Sequence, residues 1–331
     1  MKNALLPINR LNSCMERIFI YLLLASSLMS CAQNKTKLAD PAIADLYKEV
    51  KFRDQGTNYR ANVQIGACNF TLLINDVPVV QYFEESSGAF NSTVPINDVI
   101  LKSGKQTYKL ILYPGYKNGK PVAELSENVM ADIKIEGFTY SGSSFSKIGE
   151  PIALINVSSK LQNFKQAGQP TAVYKGEFEL KVPYKLTAWS ESKDLRKEDQ
   201  AQLLKEVLAA YKQYGDIITA KDSAGLGRLV YEKEKNYAQA LFLDQQGTRK
   251  QWATYSTILN AKKLVMEPIE NYKMRFYGNG RLVTLERTDF PYMGQPALRA
   301  DVTDAKGEEY IEYYFYYLHK KPGIDTLELI H

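Results

Sequence analysis

Between residues 61 and 188 apolar and polar side chains alternate with a period of two. Asp132-Ile133-Lys134-Ile135-Glu136 sets both isoleucines on one face, and Lys175 to Val182 sets Phe178, Leu180 and Val182 against Glu177, Glu179 and Lys181. Such alternation belongs to strands with one face on a core and one in water. Asn69 to Ile74 runs into Asn75-Asp76, a turn signal, after which Val77 to Phe83 can return as a hairpin partner. Thr107 to Tyr113 runs into Pro114-Gly115, and turn residues recur at Ser86-Ser87-Gly88, Lys102-Ser103-Gly104, Lys117-Asn118-Gly119 and Ser141-Gly142-Ser143. Many short strands punctuated in this way predict an all-β antiparallel sandwich over residues 55–188.

The texture changes at Ser190. Leu203, Leu204, Val207, Leu208, Tyr211 and Tyr214 recur at helical steps, with Asp194 as a candidate cap, Glu198 and Asp199 in the first turns, and Gly215 as the expected end. A second helix is expected within Ser223 to Lys235, a strand over Tyr237 to Leu243, and a third helix over Arg249 to Leu259 with Trp252 and Tyr255 on one side. From Ala261 the pattern returns to strands. Gly278-Asn279-Gly280 joins Glu270–Tyr277 to Arg281–Arg287, Asp304 to Gly307 joins Ala297–Val302 to Glu308–Leu318, and Thr326 to Ile330 forms a last strand. Helices covering one face of such a sheet predict an α+β domain over residues 192–331.

Composition sets the class. The chain has 331 residues, 45% hydrophobic and 24% charged, which excludes disorder as a description of the whole and suggests two domains. The net charge is +5, of which Lys2, Arg10 and Arg17 against Glu16 supply +2. The remaining +3 is a weak bias that does not call for nucleic acid.

The first 31 residues change the picture most. Arg17 precedes an apolar run from Ile18 to Leu24, too short to span a bilayer comfortably, and Leu28-Met29-Ser30-Cys31 follows. This stretch resembles the lipobox of bacterial lipoproteins. The resemblance implies a signal peptide over residues 1–30, cleavage before Cys31, and a diacylglyceryl thioether on its sulfur. The partner so implied is the lipid bilayer, and the place is the bacterial cell envelope. Ala32 after the cysteine fits release to the outer membrane. Met15-Glu16-Arg17 would itself begin such a signal, so Met1 and Met15 are alternative starts. Gln33 to Ala44 is polar and unpatterned, and residues 31–54 are expected to form a tether. Of three cysteines only Cys68 then stays free, and it is expected to be a small buried hydrophobe.

Two further resemblances bear on fold. Ile100-Leu101-Lys102-Ser103-Gly104-Lys105 resembles a strand-starting turn of β-sandwich modules in bacterial envelope proteins. The element order over 194–331 resembles the cone fold of the nuclear-transport-factor-like superfamily, in which helices and a curved antiparallel sheet enclose a pocket. That resemblance implies a multi-domain chain, an all-β sandwich followed by an α+β cone-like domain.

Candidate chemistry is sparse. The two histidines, His319 at an expected turn and His331 on the last position, have no partner fixed by spacing, so neither a nucleophilic triad nor a zinc site is expected. No cofactor is expected either. Gly225-Leu226-Gly227 completes neither nucleotide-binding pattern and is expected to be a loop between helices, and Asp216 and Asp222 beside it are expected as caps. Glu286 and Asp301 lie in expected strands, with their facing undecided. Tyr310 to Tyr317 is the densest aromatic cluster. As a strand it places Tyr310, Tyr314 and Tyr316 with Glu312 on one face, and Ile311, Tyr313, Phe315 and Tyr317 on the other. Those two faces are either core plus domain seam or a binding surface. Trp252, Tyr310, Tyr314 and Tyr316 are the candidate ligand- or partner-binding residues. The expected function is a membrane-anchored, non-catalytic binding module for a protein, glycan or small molecule. The alternatives are an isomerase or hydrolase using a pocket in the C-terminal domain, marked by a buried titratable group, and a structural spacer.

Overall fold

The computed structural model describes residues 40–84, 88–141, 144–157 and 164–331. The signal peptide, Cys31 and the start of the expected tether lie outside the described residues. Five antiparallel sheets and four α-helices make up the described chain. A short helix α1, Asp40–Ala44, comes first. It is followed by β1 (Asn58–Gly66), β2 (Asn69–Ile74), β3 (Val77–Tyr82), β4 (Ala89–Pro95), β5 (Gly104–Tyr113), β6 (Tyr116–Lys117), β7 (Lys120–Pro121), β8 (Met130–Ser141), β9 (Ser144–Val157) and β10 (Ala172–Leu180).

One four-stranded sheet runs β4-β1-β8-β9 and a second runs β10-β5-β2-β3. The alternation in the sequence fixes which side chains they share. Val63, Ile133 and Ile135 from the first sheet and Phe70, Leu72, Leu110 and Phe178 from the second join one buried cluster. Asn75 and Asp76, both left-handed at φ 51° and 62°, close the β2–β3 hairpin between Ile74 and Val77. These two residue types tolerate that conformation better than most, because their short polar side chains bond locally.

The remaining elements are α2 (Gln200–Thr219), α3 (Ser223–Ala240), α4 (Gln245–Leu259), β11 (Lys263–Met266), β12 (Tyr272–Tyr277), β13 (Leu282–Arg287), β14 (Arg299–Thr303), β15 (Glu309–Tyr313), β16 (Leu318–His319) and β17 (Glu328–Leu329). The strands form a three-stranded sheet β11-β14-β15 and a four-stranded sheet β12-β13-β16-β17. Within the latter, Val283 of β13 pairs with Leu318 of β16, and an isolated bridge joins Glu286 of β13 to Pro296, just before β14. The helices cover these strands over a second buried cluster holding Leu203, Val207, Tyr211, Leu226, Val230, Leu285 and Val302.

Several local expectations are corrected. Asp194 caps only a 3-10 turn at Leu195–Lys197, and Asp199 caps α2 through the N–H of Gln202 at 2.8 Å. Helix α2 does not end at Gly215. That residue stays helical against Met266, and the left-handed turn falls instead on Lys221 at φ 53°. Gly225-Leu226-Gly227 is the first turn of α3 and not a loop, with Asp222 Oδ1 accepting from the Gly225 N–H at 2.8 Å. A β-carbon on Gly225 would lie 2.3 Å from Asp222 Oδ2, so the cap itself demands glycine there. Tyr237 to Ala240 is helical rather than a strand, because Leu226, Val230, Glu234 and Ala238 keep a four-residue buried stripe through that stretch. The tether expectation also shortens: Ile43 and Leu46 are buried in the helical core, and Thr248 Oγ1 donates to the Ala44 carbonyl at 2.8 Å.

The two halves share core. Ala240, Tyr277, Leu282, Tyr317 and Ile330 of the C-terminal half belong to the buried cluster of the first two sheets. Asn97, fully buried, ties the seam: its Nδ2 donates to the carbonyls of Thr57 and Ala240, each at 2.9 Å, while its Oδ1 accepts from the Tyr59 N–H at 2.6 Å. The β2–β3 and β12–β13 hairpins also meet tip to tip. Asp76 accepts from the Gly278 N–H through its carbonyl at 2.9 Å and from the Asn279 N–H through Oδ2 at 2.8 Å.

Candidate binding cleft

A cavity of about 440 Å³ opens where the two halves meet. One wall is the outer part of β3, with Pro78, Val79, Val80 and Gln81, continued by Phe83. The facing wall is Lys233, Asn236 and Tyr237 of α3. Trp189, Tyr317, Ile330 and His331 form the floor, and Met293 to Gln295 with Phe315 form the rim. The volume and the mixture of aromatic walls with a few polar groups are those of small-molecule sites.

Asp98 is the carboxylate of this cleft. It sits on a 3-10 turn, Asn97–Val99, pinned by the buried side chains of Ile96, Val99 and Ile100 and by the Asn97 amide. Its Oδ1 is buried and has no hydrogen-bond partner among the described residues. Burial raises its pKa to about 6. The N–H groups of residues 98 and 99 and the charge of Lys233 oppose that rise without cancelling it. A buried ionised oxygen without a donor costs free energy that a donor from outside would recover.

The neighbouring groups do not supply that donor. Lys233 Nζ is drawn to Glu234 Oε1 at 3.0 Å and lies 5.7 Å from the Tyr237 ring centroid. Glu234, almost fully buried, also accepts from the Tyr255 hydroxyl at 2.6 Å. Burial pushes the Tyr237 hydroxyl up to about 12, with Asp98 adding to the effect. His331, for which spacing fixed no partner, is held in place, its carbonyl accepting from the Tyr317 N–H at 2.8 Å. Its ring packs on Trp189 and Tyr317 at centroid distances of 5.2 Å and 5.4 Å, and burial pushes its pKa down to about 3. It is therefore neutral across the physiological range.

Beside Gln81 of the β3 wall lies a buried titratable group of the kind a catalytic reading calls for. Glu286 faces inward, and its Oε1 accepts from the Tyr277 hydroxyl at 2.7 Å. Burial raises its pKa, while Tyr277, Arg275 and Gln81 favour the ionised form. Arg275 Nε stands 3.6 Å from its other oxygen. These donors come from the protein itself, and Glu286 does not line the cleft. Asp301 is exposed.

The candidates from the sequence are distributed differently. Trp252, Tyr314 and Tyr316 are only 4–5% exposed and belong to the helical core, with the Trp252 ring tilted against Tyr255 at a centroid distance of 6.0 Å. Strand β15 stops at Tyr313, so the expected two-faced run to Tyr317 is broken; Tyr314 and Tyr316 enter the helical core while Tyr317 enters the seam. Tyr310 alone of the four stands at the surface, beside a shallow groove with Lys250, Thr254 and Glu312. Cys31 lies outside the described residues. His319 is no turn residue. It is buried in β16 with Nδ1 2.6 Å from Ser192 Oγ, and burial pushes its pKa down to about 4. Its Nε2 has no hydrogen-bond partner among the described residues, so the pair lacks the orienting acid of a triad. Cys68 is buried, and burial raises its thiol to about 12. Asp222 is a helix cap, whereas Asp216 pairs with Lys212 at 2.6 Å on the exposed face of α2.

Asp98 escaped the sequence reading, since nothing around Pro95-Ile96-Asn97-Asp98 distinguishes it from an ordinary turn. Its environment is made by α3, far along the chain. Among the described residues no three His, Cys, Asp or Glu side chains come together as metal ligands, and no helix is long and apolar enough to cross a membrane. Comparison with known proteins finds no family model, no curated protein and no solved structure that matches the chain.

Proposed function

We propose that the protein is a lipid-anchored binding module of the bacterial cell envelope whose seam cleft holds a small amphipathic ligand. The anchor is Cys31, and the cell-envelope assignment rests on the lipobox-like stretch before it. Acyl chains contribute about 0.8 kcal/mol per buried methylene, and more than one chain makes anchoring stable. In this reading the C-terminal half is a cone-like body whose interior is filled by Tyr211, Tyr214, Tyr314 and Tyr316, so that free space is displaced to its rim, where the β-rich half closes it. The observation that carries the binding reading is the Asp98 carboxylate, one oxygen of which has no hydrogen-bond partner among the described residues, at a cleft whose aromatic and apolar side chains are mixed with a few polar ones.

Two measurements test it. Replacing Cys31 by Ala is expected to move the protein from the membrane to the soluble fraction, and unchanged partitioning would refute the anchor. For the cleft, ligand-observed NMR screening of small aromatic fragments should give hits that vanish in Val79→Trp, which fills the space beside β3. A chain with no hits, or with hits indifferent to that substitution, would refute the binding site.

A further inference from the structure

The lining of the cleft has a definite electrostatic sense. Asp98 and Lys233 line it, and Lys233 is held at 3.0 Å by Glu234 behind it, so the one positive charge is shared between two negative ones and only partly offsets Asp98. The other titratable groups facing Asp98 are Tyr237 from α3, Tyr184, Tyr317 and His331. Burial keeps the tyrosines protonated and His331 uncharged. An anionic ligand would meet Asp98 without a free cation to receive it. A neutral ligand would satisfy the oxygen's hydrogen bond but not its charge. An ammonium group does both.

We propose that the cleft takes ligands carrying a protonated primary amine on an apolar body about the size of one aromatic ring. The ammonium pairs with the Asp98 carboxylate, and the body lies between the β3 wall and Trp189. This inference rests on the reading of the cleft as a ligand site, and it assigns the class of ligand.

The test compares three isosteric probes on the full chain by Trp189 fluorescence and calorimetry: 2-phenylethylamine, 2-phenylethanol and phenylacetate. At neutral pH the amine should bind about tenfold or more tighter than the alcohol, the yield of one charge-assisted hydrogen bond, and phenylacetate weakest of all. Asp98→Asn should bring the amine down to the alcohol while leaving the alcohol unchanged. In the unsubstituted protein the amine's affinity should be full above pH 6 and fall as the pH drops through about 6, where Asp98 takes up its proton; the alcohol's affinity should stay flat. The amine and every facing group named above keep their charge state in that window. Equal binding of amine and alcohol within the cleft would overturn the amine assignment and leave the cleft standing, as would a preference that survives Asp98→Asn or ignores pH. Failure of all three probes to bind would remove both.

Discussion

At the scale of single residues, burial moves the pKa of several ionisable groups away from their values in water, and Asp98 has the clearest consequence. Its pKa in the folded chain, about 6, lies above the ordinary aspartate value of 3.8. Below the ordinary value both folded and unfolded chains are protonated, and no penalty exists. As the pH rises toward 6 the unfolded chain ionises first, so folding stability falls; above 6 the whole penalty is present. Asp98→Asn is therefore expected to stabilise the protein at neutral pH by about 1–3 kcal/mol, with the gain fading toward pH 4. Chemical denaturation at the two pH values measures it. A loss of stability at neutral pH would mean that the carboxylate has a partner. A group that costs stability and faces a cleft is more readily explained by what it binds than by what it holds together.

At the scale of elements, what the sequence revealed depended on how local the signal was. Asn75-Asp76 and Gly278-Asn279-Gly280 announce hairpins because the turn is settled by the residues that make it. The alternation of Ile133 and Ile135 likewise survives intact. Helix ends were less legible. Gly215 looked like a terminator, yet glycine ends a helix only where φ turns positive, and here that happens at Lys221. Gly215 serves close packing instead: an added β-carbon would meet Met266 Cγ at 3.4 Å, an ordinary contact. Gly215→Ala should thus stabilise the chain by about 0.5–1 kcal/mol through helix propensity. Gly215→Leu should destabilise it by about 1–3 kcal/mol through overpacking. Thermal unfolding of the two variants separates these effects, and a destabilising alanine would show that β11 cannot yield at all. The same limit hid the cleft. Asp98 and Lys233 are separated by most of a domain in sequence, and neither strand alternation nor helical period places one beside the other.

At the scale of the whole molecule, the two halves read from the sequence as separate bodies share a core. Tyr317 and Ile330 pack with strands of the first half, and Asn97 bonds across to Ala240. Two tryptophans report on the two regions, Trp189 at the seam and Trp252 in the helical core. Unfolding followed at each, in single Trp→Phe variants, is expected to give coincident transitions. A Trp252 transition well separated from that of Trp189 would show that the halves fold independently. The seam is also where the free space lies, so stability and the proposed binding draw on the same surface.

Hairpin tips are ordinarily the safest places to splice in foreign sequence, since they face solvent. The pair formed by Asp76 and Asn279 reverses that expectation, because each tip is the other's seat, and Gly278 has Trp189 within 2.9 Å of where a side chain would begin. A reporter peptide grafted into either turn would pry the halves apart and empty the cleft. The turn at Gly323, with nothing within 4 Å of where a side chain would begin, can be lengthened without cost to the interior.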